Sequence, residues 1–363
     1  MKKQHFLVAL TLYIGAVLYL AITTPISPHE AKLLYASHNI AAILLQWSEE
    51  HVPGFFGLRI FFIFFGFLSI WLFYELSRRH FKKREDAYLA TFIFMLLPGI
   101  ITASTMANIG IIVLPLVLLF VLLYEKGETV WLPFILLALF FIHEASIIFF
   151  VALLFYGMIY KDKKLIIVAS AFLLVFIYLA KGINIGGRPT GHFAEIFGLY
   201  ATLFSPLVFL YFFYTMYRIL LRGKKNLIWY ISFTAFAFSL LLSIRQRIYL
   251  TDFAPYVLPA VVLMLDQFNH SIRVRLPEFQ RWYRRGFYVV MAFLLLSAMI
   301  IVFHQTLYNM MPNPEQHFAK RIYKPYYLVK NLKSKGINCF DTDSKRERYQ
   351  LRYYGIHSCE TKQ

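Results

Sequence analysis

Residues 6–22 read FLVALTLYIGAVLYLAI, seventeen positions without a charged side chain. A transmembrane α-helix needs about 17–25 predominantly apolar residues, so this stretch predicts a helix that crosses a membrane. Lys2 and Lys3 precede it, as in a signal peptide, but no small-residue cleavage site follows. We therefore interpret it as a retained first helix.

Ten similar stretches follow along the chain. The predicted spans are 6–22, 58–76, 87–101, 109–124, 129–142, 145–160, 165–180, 201–221, 227–243, 254–268 and 286–303. The composition agrees, because 59% of residues are hydrophobic and 15% are charged, against roughly 45–50% and 25% in soluble domains. The sequence predicts an all-α polytopic membrane protein with about eleven transmembrane helices, and it excludes a soluble enzyme and a disordered chain.

The distribution of basic residues between loops predicts the orientation of the chain in the membrane. The net charge is +18, but the cations form short clusters between apolar runs and no continuous patch for nucleic acid. With the N-terminus in the cytoplasm, twenty Lys and Arg lie in inner loops and six in outer loops. Cytoplasmic loops are enriched in such residues, so we predict a bacterial inner-membrane protein with a cytoplasmic N-terminus and a periplasmic C-terminal tail.

The tail is the one segment of soluble character. We divide the chain into a transmembrane domain, 1–303, and a small extracytoplasmic domain, 304–363, with α/β character: helices near 315–335 and 345–354 and a strand near 337–340. Cys339 and Cys359 are the only cysteines, and both fall on the predicted outer side, where oxidation is permitted. A disulfide is the hypothesis, and two unpaired thiols are the alternative.

The first outer loop holds the leading candidate for chemistry. Helical spacing of Leu34, His38, Ala41 and Leu45 predicts a helix along the membrane surface. Glu30 stands three residues after Ser27, which is the spacing of a capping box, and the residues alone favour this structural role. The functional alternative is a general base that takes a proton from an acceptor hydroxyl.

Several motifs of the first half form a pattern found in one group of enzymes. They are Pro28-His29-Glu30-Ala31 with Tyr35, Pro53-Gly54, Gly57-Leu58-Arg59, Tyr74-Glu75-Leu76-Ser77-Arg78-Arg79, Leu97-Pro98 and Ala107-Asn108. Together they resemble the GT-C-type membrane glycosyltransferases, in particular the dolichyl-phosphate-mannose protein mannosyltransferase and aminoarabinose transferase group. The resemblance covers about residues 6–165 in sequence and the remainder in architecture.

The resemblance implies transfer of a sugar from a polyprenyl-phosphate donor to a lipid, glycan or protein acceptor on the outer face of the membrane. An acidic pair in the first outer loop carries catalysis in such enzymes, and here the pair becomes His29 and Glu30. A further acid at the start of the fourth span is replaced by Asn108. A divalent metal is compatible with this chemistry, but the sequence shows no strong cluster of metal ligands.

Basic residues near later outer span ends hold the lipid phosphate in the resembled family. Arg245 and Arg247 follow the ninth span and fit this role, since arginine suits bidentate phosphate contact; anchoring at the membrane interface is the alternative. His143 closes the fifth span and is a candidate to assist, although a structural role is favoured. Arg188, in the loop 181–191, is a further candidate for substrate contact.

Two other classes of function stay open. Because His29 and Asn108 stand where acids are expected, the chain is alternatively a non-catalytic GT-C-derived subunit that binds lipid-linked glycan. A transporter ranks last, since the spans are nearly free of charge near the midplane and no two halves match.

Overall fold

A computed structural model describes residues 1–179 and 191–359 of the chain. Within these ranges the chain forms nineteen α-helices: α1 Lys3–Thr23, α2 Pro28–Ala36, α3 Ile40–His51, α4 Ile60–His80, α5 Arg84–Leu96, α6 Pro98–Thr105, α7 Ile109–Lys126, α8 Leu132–Ile142, α9 Ser146–Tyr160, α10 Lys163–Leu179, α11 Phe193–Phe204, α12 Pro206–Arg222, α13 Leu227–Ser243, α14 Ala254–Val257, α15 Val261–Val274, α16 Pro277–Val302, α17 His304–Met310, α18 Lys320–Ser334 and α19 Lys345–Tyr353. Short 3-10 turns at Gly57–Arg59, Leu250–Asp252, Leu258–Ala260 and Pro314–Gln316 complete the helical structure.

The chain is a multi-pass membrane protein. Four helical segments of the described chain are long and apolar enough to cross a membrane, namely Lys3–Thr23, Gly57–His80, Ile109–Lys126 and Pro277–Val302. The number rises to six if each of two bent helix pairs counts as one span. The eleven predicted spans are not confirmed, because several are shorter apolar helices, such as α8, α9 and α13.

Proline interrupts two spans that the sequence predicted to be continuous. α5 and α6 meet at Pro98 with a bend of 61°, and α11 and α12 meet at Pro206 with a bend of 108°. Proline has no N–H to donate within a helix and restricts the residue before it. Ser205, which precedes Pro206, has φ 78°, a backbone conformation that is rare for residues other than glycine. The predicted spans 87–101 and 201–221 are therefore broken helices.

The described residues divide into two compact units. The first contains 1–11, 65–101, 109–179 and 191–298, and the second contains 12–64, 102–108 and 299–359. Aromatic side chains fill the first unit: the rings of Phe73 and Phe94 stack with centroids 4.0 Å apart, and Phe149 meets Phe120 edge to face. The predicted division at residue 303 stays a prediction.

The second unit combines residues 12–64, which contain the predicted first outer loop, with the tail. α19 packs against α2 and α18, and Val329, Leu332, Leu351 and Ile356 form a small apolar core within the tail. Cys339 and Cys359 form a disulfide, which confirms the hypothesis. The predicted α/β character is not confirmed, because the described part of the tail holds an isolated bridge between Cys339 and His357 and no strand.

The surface helix predicted in the first outer loop is two helices. α2 ends at Ala36, and the Asn39 side chain caps α3 by accepting from Ala42 N–H at 2.9 Å. Gln46 Nε2 donates to the Leu34 carbonyl at 2.9 Å and joins the pair. After α3 the backbone passes so close to itself that a Cβ at Gly57 would lie 1.5 Å from the Val52 carbonyl oxygen, so this position requires glycine.

Candidate functional site

Glu30 lies in the first turn of α2, as the sequence predicted. The Ser27 hydroxyl accepts from Glu30 N–H at 3.2 Å, and Ser27 N–H donates to Glu30 Oε2 at 2.8 Å. Pro28 occupies the first turn, where its missing N–H costs nothing. This reciprocal capping box is confirmed, and it fixes the direction of the Glu30 side chain.

The same carboxylate forms a bidentate ion pair with Arg59. Arg59 Nε lies 2.8 Å from Glu30 Oε1, and Nη2 lies 3.0 Å from Oε2. Both side chains are completely buried. A fourth donor, Ala107 N–H, reaches Oε1 at 3.3 Å. Each carboxylate oxygen therefore accepts two hydrogen bonds, counting the bond from the cap.

The guanidinium of Arg59 also completes the end of α1. Nη1 donates to the carbonyls of Thr24 at 2.8 Å, Ala21 at 3.1 Å and Leu20 at 3.4 Å, and Nη2 donates to Pro25 at 3.1 Å. The last carbonyls of a helix lack partners within the helix. Arg59 supplies these partners and joins the end of α1 to the start of α2.

The electrostatics of the pair favour the ionised carboxylate. Burial alone would raise the pKa of Glu30, but the charge of Arg59 and the hydrogen bonds from Arg59 and Ser27 outweigh it, so its pKa lies below the usual value. A carboxylate of this kind is a strong electrostatic anchor and a weak proton acceptor. To act as a base, Glu30 must first release one of its four hydrogen bonds.

His29 and Asn108 occupy positions where the resembled family carries acids. Each is next in the chain to a residue of this site. His29 is adjacent to Glu30 on α2, and its side chain is exposed whereas that of Glu30 is buried. Asn108 follows Ala107, whose N–H is the fourth donor to Glu30. The segment that carries an acid in the resembled family thus reaches Glu30 through its backbone.

The predicted phosphate-binding arginines lie on the connection that follows α13, in the first unit. Arg247 is 76% exposed, and its Nε lies 3.6 Å from Oε2 of Glu195 at the start of α11. The same oxygen lies 3.0 Å from His192 Nδ1. Arg245 is exposed two residues earlier. Among the described residues, Glu195 is the ion-pair partner of Arg247, and at 3.6 Å this is a weak contact that a ligand can replace.

His143 is tied to the same connection through Asp252. Its Nε2 lies 3.3 Å from Asp252 Oδ1, and the His143 side chain is 14% exposed. The nitrogen is buried and makes no hydrogen bond to the described protein atoms. This distance permits an ion pair when the ring is protonated. The connection 244–253 thus carries Arg245 and Arg247, and its Asp252 contacts His143.

Arg188 lies outside the described residues. Among the residues of 1–179 and 191–359, no group of three or more His, Cys, Asp or Glu side chains is arranged to hold a metal ion.

Arg59 is the residue that sequence reasoning missed. It was counted among the six outer cations and within the Gly57-Leu58-Arg59 motif, but it was not assigned a role. A charged residue at the start of an otherwise apolar span is costly unless it is paired, and this cost is the feature that could have identified it. Glu195 and Asp252, the partners of Arg247 and His143, were likewise not singled out from the sequence.

Comparison with solved structures shows the GT-C fold. The chain is similar to the crystal structure of ArnT from Cupriavidus metallidurans in the apo state, with a TM-score of 0.55 and 11% identity over 96% of this chain and 74% of that one. It is also similar to ArnT from Cupriavidus metallidurans bound to undecaprenyl phosphate, with a TM-score of 0.57 and 10% identity over 98% and 76% of the two chains. ArnT is a GT-C aminoarabinose transferase, so the fold predicted from the resemblance is confirmed. No protein-family model and no curated protein sequence matches this chain.

Proposed function

We propose that the protein is a glycosyltransferase that moves a sugar from a polyprenyl-phosphate-linked donor to a lipid, glycan or protein hydroxyl on the outer face of the inner membrane. The observation that carries the proposal is the likeness to ArnT over 96% or more of the chain. That likeness extends beyond the membrane spans to the first outer loop and the tail. One of the two ArnT structures holds undecaprenyl phosphate, which is the class of carrier we propose here.

The proposed orientation has a cytoplasmic N-terminus and a periplasmic tail. The distribution of twenty inner and six outer loop cations supports it. The Cys339–Cys359 disulfide is also consistent with a tail outside the cytoplasm. A reporter fused after Gln363 that is active only in the periplasm should give signal, and one active only in the cytoplasm should not.

In the proposed reaction, an acceptor hydroxyl attacks the anomeric carbon of the donor, the bond to the carrier phosphate breaks, and the hydroxyl proton passes to a base. Glu30 is the proposed base. Its bond to Ala107 N–H is the longest of the four at 3.3 Å, so Oε1 is the oxygen that is released most easily. His29, which is exposed on the same turn, is the proposed relay for the proton.

Arg245 and Arg247 are proposed to hold the donor phosphate, with His143 and Arg188 assisting. A charge-assisted hydrogen bond contributes roughly 1.5–3 kcal/mol. We therefore expect Arg247→Ala to weaken donor binding by about tenfold or more. Lys32→Ala is the matched control, since Lys32 is another exposed cation of the outer loops. Equal donor affinity in the two variants would remove Arg247 from the site.

The decisive experiment is transfer by purified protein from a defined polyprenyl-phosphate sugar, after comparison of surface glycans between the wild-type strain and a deletion strain. Glu30→Gln should abolish transfer in protein that is still folded at the assay temperature. Folded Glu30→Gln protein with unchanged turnover would reject the base assignment.

A second candidate function is a non-catalytic subunit that binds lipid-linked glycan. The engagement of both Glu30 oxygens by four donors favours it, because a carboxylate held in this way serves structure without chemistry. Under this alternative the wild-type protein binds the donor without turnover, and Glu30→Gln lowers stability while donor affinity in folded protein stays the same.

A further inference from the structure

The second unit contains a charged cavity of about 410 Å³ between α18, the start of α19 and the first residue of α2. Four cations line it, Lys320, Arg321, Lys324 and Arg346, together with the carboxylates Glu315 and Glu347. The formal charge of these walls is therefore +2.

The two carboxylates leave the arginines unpaired. Glu315 lies 3.1 Å from Lys324 Nζ and 3.9 Å from Lys320 Nζ, so it is shared between the two lysines. Glu347 instead accepts from the Thr342 hydroxyl at 2.9 Å. Within residues 1–179 and 191–359, neither Arg321 nor Arg346 has an ion-pair partner, and both are exposed.

The walls of the cavity are held in place by a buried amide. Gln350 is 2% exposed, and its Nε2 donates to the Ile26 carbonyl at 2.9 Å and to the Arg321 carbonyl at 3.1 Å. These bonds fix the backbone of Arg321 on α18 relative to α19 and to the residue before the α2 cap. The cations therefore surround a formed cavity, unlike Lys330 and Lys333, which are exposed on α18 and do not line it.

Membrane topology does not explain this charge. The positive-inside rule accounts for cations on the cytoplasmic side, whereas the tail is predicted to lie outside. The guanidinium group is suited to bidentate contact with phosphate oxygens, and the first turn of α19 adds the positive end of a helix dipole.

We propose that this cavity is a phosphate-binding site, in which Arg321 and Arg346 hold a phosphate group presented outside the membrane. The phosphate belongs to a lipid headgroup or to a water-soluble phosphate compound. The site is distinct from the proposed transfer reaction, and neither Glu30 nor Arg247 forms part of it.

The test uses the full-length protein in detergent. Binding of radiolabelled inorganic pyrophosphate reports the soluble source, and retention of phosphatidylglycerol in native mass spectrometry reports the lipid source. The double variant Arg321→Gln/Arg346→Gln should weaken binding at least tenfold in one of these assays, and added salt should weaken wild-type binding. The matched control Lys330→Gln/Lys333→Gln removes the same charge from the same unit and should change binding less than twofold.

The two binding assays distinguish the two sources of phosphate and can also reject the site. A selective loss with pyrophosphate identifies a soluble ligand, and a selective loss with phosphatidylglycerol identifies a headgroup. If neither ligand binds saturably, or if both double variants lose binding equally, no such site exists. Failure of the transfer reaction would leave this result unaffected, because no sugar donor enters either assay.

Discussion

Replacing Arg59 with methionine removes one partner of a completely buried ion pair and leaves the Glu30 carboxylate without its countercharge. Loss of one member of such a pair typically costs 3–5 kcal/mol. In addition, four backbone carbonyls lose the hydrogen bonds from Arg59, although the Leu20 carbonyl keeps the one from Thr24 N–H. We expect Arg59→Met to lower the free energy of unfolding by about 3–5 kcal/mol.

Glu30→Gln should cost less. The amide keeps one acceptor oxygen, and the buried guanidinium keeps its four carbonyl partners, so about 1–3 kcal/mol is expected. In the double variant no uncompensated charge remains. Its cost should therefore fall short of the sum of the single costs by at least about 1 kcal/mol, within the range of coupling energies between contacting residues.

The free energy of unfolding can be measured by titration with SDS in mixed micelles. Arg78→Met is the control: Arg78 lies near the other end of the same span, Gly57–His80, but its pair with Glu75 is partly exposed at 3.3 Å, so less than about 1 kcal/mol is expected. Single costs that add to within about 0.5 kcal/mol would refute the coupling. An Arg59→Met cost as small as that of the control would refute the role of the pair.

The pH dependence of stability gives an independent check on the pair. The pKa of Glu30 lies below its ordinary value of 4.5 in the folded protein, so the unfolded chain binds more protons in this range. The stability from the pair is present above pH 4.5 and is lost as the pH falls through the folded pKa. Glu30→Gln should remove this acid-sensitive component, and an unchanged acid profile would contradict it.

Three further outcomes are expected. Burial holds the pKa of His304 below 6.5, so the stability that comes from its neutral form is present above pH 6.5 and is lost as the pH falls through the folded pKa. His304→Gln should reduce that loss. An unchanged dependence of the unfolding free energy on pH below 6.5 would count against this role. Gly57→Ala should cost about 1–3 kcal/mol of stability, because the alanine Cβ would collide with a backbone carbonyl. The control Gly198→Ala, on open helix surface, should not destabilise the protein. Equal changes in melting temperature for the two variants would reject the collision. Unreduced protein should contain no free thiol, and loss of the Cys339–Cys359 bond should cost about 3 kcal/mol for a loop of this size; two titratable thiols would disprove the bond.

Features that depend on neighbouring residues were predictable from the sequence. The capping box at Ser27 and Glu30 was predicted because its whole chemistry fits within four positions. The disulfide followed from the presence of only two cysteines in one predicted compartment. The fold followed from a resemblance in the sparse polar residues between apolar spans, and the likeness to ArnT confirmed it.

Features that depend on distant residues were not predictable. Arg59 and Glu30 are 29 positions apart, and neither periodicity nor composition relates one to the other. The breaks at Pro98 and Pro206 were missed for a different reason, since mean apolarity continues across a proline even though the hydrogen-bond ladder does not. The number of spans was therefore the least secure part of the prediction.

The hydrogen bond from Gln350 to the Ile26 carbonyl joins positions 324 residues apart. A ribosome makes the chain from its N-terminus, so α2 is synthesised long before α19 exists. During that interval the Ile26 carbonyl and the face of α2 that receives α19 have no final partner. The segment with the proposed base can thus reach its finished form only after α19 has been synthesised. Truncated chains that lack α19 should be recognised by quality-control proteases, because the residues around Ile26 and α2 would then keep an unfinished contact surface.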